Sequence, residues 1–89
     1  MKKNSGFELR KVGEETILIA TGIENIDFNN IINMNKSAAL LWNKIGDKEF
    51  DCNMLADILV DHYKIDMNVA VIDTEDIIQQ WVNAGIIST

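Results

Sequence analysis

Apolar and polar residues alternate near the amino terminus in the way that a strand requires. Phe7 and Leu9 alternate with charged residues, and this period of two predicts a half-buried strand over residues 6–12. Gly13 then supplies a turn, and a β-branched apolar run follows at residues 16–21. The pattern predicts a β-hairpin of two antiparallel strands.

A third strand is predicted over residues 26–33, where apolar residues are mixed with three asparagines. Asparagine is depleted in strands, so the pattern is weaker here than in the hairpin. The segment contains no proline, and its backbone N–H and C=O groups are therefore able to pair with another strand. The asparagines are equally typical of ordinary solvent-facing positions.

Helical spacing of the apolar residues begins after Asn35. Asparagine is a favoured N-cap because its side-chain oxygen accepts a hydrogen bond from a free N–H group of the first turn. Apolar residues at helical spacing predict a first helix over residues 36–45, which ends at Gly46. A second helix is predicted over residues 52–63, with Asp51 as its N-cap.

The third predicted helix begins after Asp66 or Asn68 and continues to about residue 84. At about 100° per residue, an arc of roughly 120° on this helix is apolar enough to face the core. The residues in this arc are Ala70, Val71, Thr74, Ile78, Trp81 and Val82. Ile72 lies outside the arc and is either a scattered surface residue or part of a groove.

The order of these elements predicts an α+β fold, in which a three-stranded antiparallel sheet is followed by three helices in a winged helix-turn-helix-like arrangement. A chain of 89 residues is expected to form a single domain over residues 1–89. Since the usual function of a winged helix-turn-helix is DNA binding, a transcription regulator is one hypothesis. A structural interaction module is another.

The distribution of charge argues against DNA binding. The formal net charge is −6, and residues 49–89 carry one lysine against eight Asp and Glu residues. Residues 68–84 contain no Lys or Arg, whereas a recognition helix approaches the phosphates of DNA with these side chains. We therefore expect no nucleic-acid partner.

The sequence offers little for catalysis or metal binding. Cys52 is the only cysteine and His62 the only histidine, and neither lies at metal-ligand or nucleophile spacing from a partner. We expect no catalytic residue, no metal and no cofactor. The amino terminus lacks the apolar run of a signal peptide, and no segment has the roughly 18 consecutive apolar residues of a membrane span. A cytoplasmic protein without a membrane partner is expected.

Several segments in order, "FELRKVG", "ETILI", "IINMNKSAALLWNKIGD", "LADILVDHYKID" and "DTEDIIQQWVNAGII", resemble the PqqD family of pyrroloquinoline quinone (PQQ) biosynthesis. More broadly, they resemble the recognition elements of ribosomally made, modified peptides (RiPPs). The most specific part is the strand that ends at Met34 and Asn35, followed by the helix with Ala38, Ala39 and Trp42.

This resemblance implies a non-catalytic peptide chaperone. Such a protein binds the leader segment of a precursor peptide and presents it to a modifying enzyme, often a radical SAM enzyme. In the family, the leader adds as a strand to the third strand, in the cleft against the third helix. The candidate peptide-binding residues are Asn29, Asn30, Ile31, Ile32 and Asn33 on the strand and Ile72, Glu75, Gln79 and Val82 on the helix.

Overall fold

A computed structural model of the chain describes residues 1–20 and 32–88. It contains the predicted three-stranded antiparallel sheet followed by three helices, so the α+β fold is confirmed. The elements are β1 (Lys2–Lys3), β2 (Phe7–Val12), β3 (Glu15–Ala20), β4 (Ile32–Met34), α1 (Lys36–Ile45), α2 (Cys52–Tyr63), α3 (Met67–Ala84) and β5 (Ile87–Ser88). Among the described helices, none is long and apolar enough to cross a membrane.

The hairpin of β2 and β3 turns at Gly13, whose positive φ of 63° suits the first position of a two-residue turn. β3 then pairs antiparallel with β4, so that the strand order is β2-β3-β4. β4 overlaps the end of the predicted third strand and extends it to Met34. Residues 26–31 of that predicted strand lie outside the described residues.

One face of this sheet packs on the helices. Leu18 and Met34 are buried, and Leu9 and Ile32 pack against the same core. These residues occupy alternate positions, as expected when only one face of a sheet is covered. Ile17, on the opposite face of β3, is half-buried.

Asn35 ends β4 and begins α1, as the sequence predicts. Its backbone is extended, and its Oδ1 accepts a hydrogen bond from the N–H of Ala38 at 2.8 Å. Because this cap directly follows Met34, the chain passes from the sheet into α1 without a loop. The strand edge and the start of the helix are therefore held close together.

Three aromatic rings join the helices in the core. The rings of Trp42 on α1 and Trp81 on α3 meet edge to face, with centroids 5.2 Å apart. Phe50, in the α1–α2 connection, meets Trp81 in the same manner at 6.4 Å. Trp42 is only 5% exposed, so it lies on the core side of α1 as predicted.

The core face of α3 differs from the predicted arc. Ala70, Thr74 and Trp81 are buried as expected, but Ile77 completes this face and Val82 is 38% exposed. Val71 and Ile78 of the predicted arc also pack against the core, so the centre of the core face is rotated from the predicted one by about 20°, at 100° per residue. The sequence leaves the buried side of α3 ambiguous because apolar residues occur on several sides of this helix.

A second, two-stranded sheet was not predicted. β1 pairs antiparallel with β5, and Lys2 lies opposite Ser88. Lys3 extends over Trp42, with Nζ 4.2 Å from the ring centroid, and donates a hydrogen bond to the Trp42 carbonyl. Burial lowers the pKa of Lys3, and the nearby Asp47 carboxylate opposes this shift.

Replacing Trp42 by alanine should destabilise the fold severely. The substitution removes a buried ring and its contact with Trp81, and we expect the free energy of unfolding to fall by about 3–5 kcal/mol. Urea denaturation followed by circular dichroism measures the change. Val12→Ala is the control, since Val12 is 59% exposed and should shift the midpoint little. Equal midpoints for the two variants would contradict this account of the core.

Candidate functional site

In the part of the sheet that the structure describes, β4 is an edge strand. Among the described residues, it pairs with β3 alone, with Thr16, Ile17 and Leu18 opposite Met34, Asn33 and Ile32 respectively. An edge strand presents backbone N–H and C=O groups that can pair with another chain. Which residues present them follows from the alternation of hydrogen-bonded and non-hydrogen-bonded pairs along antiparallel strands.

The β2–β3 turn fixes this alternation. A two-residue turn makes Val12 and Glu15 a hydrogen-bonded pair, so Glu15 and Ile17 direct their backbone groups towards β2. The residues between them, Thr16 and Leu18, direct their groups towards β4 and bond with Met34 and Ile32. The N–H and C=O of Asn33 consequently point away from β3, towards the outer edge.

The side chains of β4 alternate in the same way. Ile32 and Met34 face the core, and Asn33 is exposed on the opposite face. Of the five strand residues predicted to bind peptide, Ile32 and Asn33 are described, and only Asn33 has outward-facing backbone groups. Asn29, Asn30 and Ile31 lie outside the described residues.

A depression of about 260 Å³ lies between the start of α1 and the side of α3. The described residues that line it are Asn35, Ser37, Asp73, Asp76, Ile77 and Gln80. Asn35 is adjacent to the last residue of β4, so the depression begins where the strand edge ends. The strand edge, the depression and this side of α3 form the candidate site.

The four predicted helix residues lie on more than one side of α3. At 100° per residue, Ile72 and Gln79 lie about 40° and 60° from Asp76, and they border the lined side. Ile72 is 61% exposed. By the same rotation, Glu75 and Val82 are roughly opposite the lined side.

The position of Glu75 has independent support from the cysteine on α2. The pKa of the Cys52 thiol is raised by burial and further by the nearby carboxylates of Glu75 and Asp51. Glu75 therefore faces the start of α2 rather than the depression. Whether any of the predicted helix residues contacts a peptide remains a prediction.

Sequence reasoning missed the side of α3 that the depression uses. Asp73, Asp76 and Gln80 recur at intervals of three and four residues, which places them on one face of the helix, and Val69 shares that face. From the sequence, Asp73 and Asp76 counted only towards the negative charge of residues 49–89. Their spacing in the sequence shows that they share one face of the helix. Where that face lies depends on which side of α3 is buried, and the sequence left that side ambiguous.

Metal binding has no support in the arrangement of side chains. Within residues 1–20 and 32–88, no group of three or more His, Cys, Asp or Glu side chains is placed to hold a metal ion. His62 packs its ring against that of Tyr63, with centroids 4.7 Å apart, and both residues are exposed.

The fold is similar to the solved structure of TbiB1 in complex with the TbiA(beta) leader peptide, with a TM-score of 0.69 over 97% of this chain and 93% of that chain. The two sequences are 14% identical, so this similarity shows a shared fold. The comparison with curated proteins gives no match.

The family is shown by the sequence itself. The model of the PqqD family, described as coenzyme PQQ synthesis protein D, matches residues 12–87. The match includes β3, β4 and all three helices, and therefore every element of the candidate site. The chain belongs to the PqqD family.

The orientation of Glu75 predicts the reactivity of Cys52. The thiolate is the reactive form of cysteine, and removing a nearby negative charge lowers the pKa of the thiol. Glu75→Gln should therefore speed the alkylation of Cys52 by iodoacetamide at pH 8. Mass spectrometry measures the rate of this reaction. Asp76→Asn, on the other side of α3, is the matched control and should leave the rate unchanged. A faster rate for the control alone would show that the helix is rotated from this description.

Proposed function

We propose that the protein binds the leader segment of a ribosomally made precursor peptide and presents it to a modifying enzyme. Membership in the PqqD family supports this proposal, as does the shared fold with TbiB1, whose structure contains a leader peptide. The observation that carries it is the outer edge of β4, where the backbone groups of Asn33 point away from the sheet beside the depression.

Peptide capture at this edge is strand addition. The N–H of Asn33 donates to a carbonyl of the peptide, and its C=O accepts from a peptide N–H. These bonds require an extended peptide but few particular side chains, so they supply affinity. The side of α3 then faces alternate side chains of the peptide and supplies selectivity.

The protein acts here as an adaptor without catalysis of its own. The two partners are the precursor peptide and an enzyme that modifies it. In this family, the modifying enzyme is often a radical SAM enzyme. The pathway is PQQ biosynthesis or that of another modified peptide, and the complex operates in the cytoplasm. α3 has no Lys or Arg, which disfavours binding to nucleic acid through this helix.

Proline at position 33 tests strand addition directly. Asn33→Pro removes the outward N–H and places a ring where the peptide carbonyl would approach. One hydrogen bond contributes about 0.5–1.5 kcal/mol, and steric exclusion adds to its loss, so binding should weaken by about tenfold or more. Asn33→Thr is the matched control because it keeps the N–H and changes only an exposed side chain.

The measurement is a titration of isotope-labelled protein with synthetic peptides from the short reading frames beside its gene, followed by NMR. Binding should shift the amide signals of β4 and of the α3 side that lines the depression. Circular dichroism first verifies that both variants fold. Shifts confined to β2 and α2 would refute the placement of the site, and equal affinities for the two variants would refute strand addition.

A further inference from the structure

On the side of α3 at the depression, apolar, acidic and amide side chains follow one another along the helix. We call Val69, Ile72, Asp73, Asp76 and Gln80 the α3 wall. Asp73, Asp76 and Gln80 line the depression, and Val69 and Ile72 precede the two aspartates by four residues each. Residues four apart on a helix are neighbours on its surface. The wall therefore has an apolar band, then an acidic band, then an amide.

The apolar band is open to solvent. Ile72 is 61% exposed and Val69 is 47% exposed, although both belong to the same helix as the buried Trp81. Neither residue belongs to the core or packs against it. Exposed aliphatic side chains are common on protein surfaces, but two adjacent ones beside a depression offer an apolar contact to a ligand that binds there.

The acidic band has no cation of its own. In the described part of the chain, the ion pairs are Arg10 with Glu8 and Lys64 with Asp61, and neither involves Asp73 or Asp76. Residues 21–31, which lie outside the description, contain no Lys, Arg or His. Lys36 and the N-terminus of α1 lie on the other side of the depression, but Lys36 forms no ion pair with either aspartate. A basic side chain of a ligand placed near these two carboxylates would therefore be favourable.

We infer that the peptide bound at the β4 edge carries a basic side chain over Asp73 and Asp76, and an apolar side chain two residues away over Val69 and Ile72. This inference rests on the proposed function, because it assumes an extended peptide beside β4. It adds the class of peptide: an apolar and a basic residue in alternation, in either order along the chain.

The spacing of the bands matches that of a strand. Four residues of helix rise by about 6 Å, at 1.5 Å per residue. Two residues of strand advance by about 6.6 Å, and residues two apart point to the same side. An extended peptide that runs along the helix therefore presents one side chain to each band. The positive charge of the basic residue fixes the register of the bound peptide. It also disfavours peptides that carry an acidic residue at that position.

Selection from a displayed library of random 12-residue peptides tests this inference. The wild-type protein should enrich peptides in which Lys or Arg stands two positions from an aliphatic or aromatic residue. The double variant Asp73→Asn/Asp76→Asn should lose the basic preference and bind the selected peptides about two- to tenfold more weakly. Asp57→Asn/Asp61→Asn is the matched control, since it removes the same charge from exposed positions on α2.

A charge exchange gives the sharper result. Asp73→Lys/Asp76→Lys should bind the selected peptide worst, and replacing the basic residue of the peptide by Glu should restore binding to this variant alone. Raising the salt concentration should reduce the difference between wild type and the Asn variant, because exposed charges are screened. Equal effects of the α2 control would assign the preference to net charge and overturn the inference.

Binding of the selected peptides to Asn33→Pro distinguishes a failure of this inference from a failure of the proposed function. If the selected peptides lose affinity for Asn33→Pro but show no basic position, strand addition stands and the charge inference is wrong. If they bind Asn33→Pro as well as Asn33→Thr, strand addition is wrong, and the inference falls with it. If no peptide is enriched, both are overturned.

Discussion

The contact between Trp42 and Trp81 sets the geometry on which the rest of the molecule depends. Trp42 lies on α1, which follows β4 after the single cap residue Asn35, and Trp81 lies on α3. Their edge-to-face packing therefore fixes the separation between the sheet edge and the α3 wall. A pair of buried aromatic rings resists small displacements because the surrounding core is close-packed. The width of the candidate site, between the β4 edge and α3, is a consequence of this core.

Local signals made much of the fold predictable. The hairpin followed from alternation and Gly13, and α1 and α2 followed from Asn35 and Asp51, whose carboxyl or amide oxygens cap the helices in the structure. The phase of α3 was harder. Ile77 and Val82 are both apolar, and only the packing against Trp42 and Phe50 selects which side is buried. The α3 wall was missed for the same reason, since it lies beside the core face.

The candidate site combines two kinds of interaction with different dependence on sequence. The proposed pairing at the β4 edge uses backbone groups, so substitution of Asn33 by another non-proline residue would leave it intact. In the proposed mode of binding, the α3 wall contributes side chains that lie outside the core, so they are free to vary with little loss of stability. On this proposal, one mode of capture is compatible with the recognition of different peptides.

The pairing of β1 with β5 has a consequence for the order of folding. Asn4 and Ser88, which hydrogen-bond through their side chains, are 84 residues apart in sequence, whereas the hairpin and helices form from near neighbours. Closing so long a loop carries a large entropic penalty, so this small sheet should assemble after the three helices have docked. Its ladder is two residue pairs long, and hydrogen bonds of Met1 with Phe50 and of Asn4 with Gly85 and Ile86 reinforce it. Opening of this small sheet would lift Lys3 from Trp42 and admit water to the aromatic core, so these late contacts protect that core.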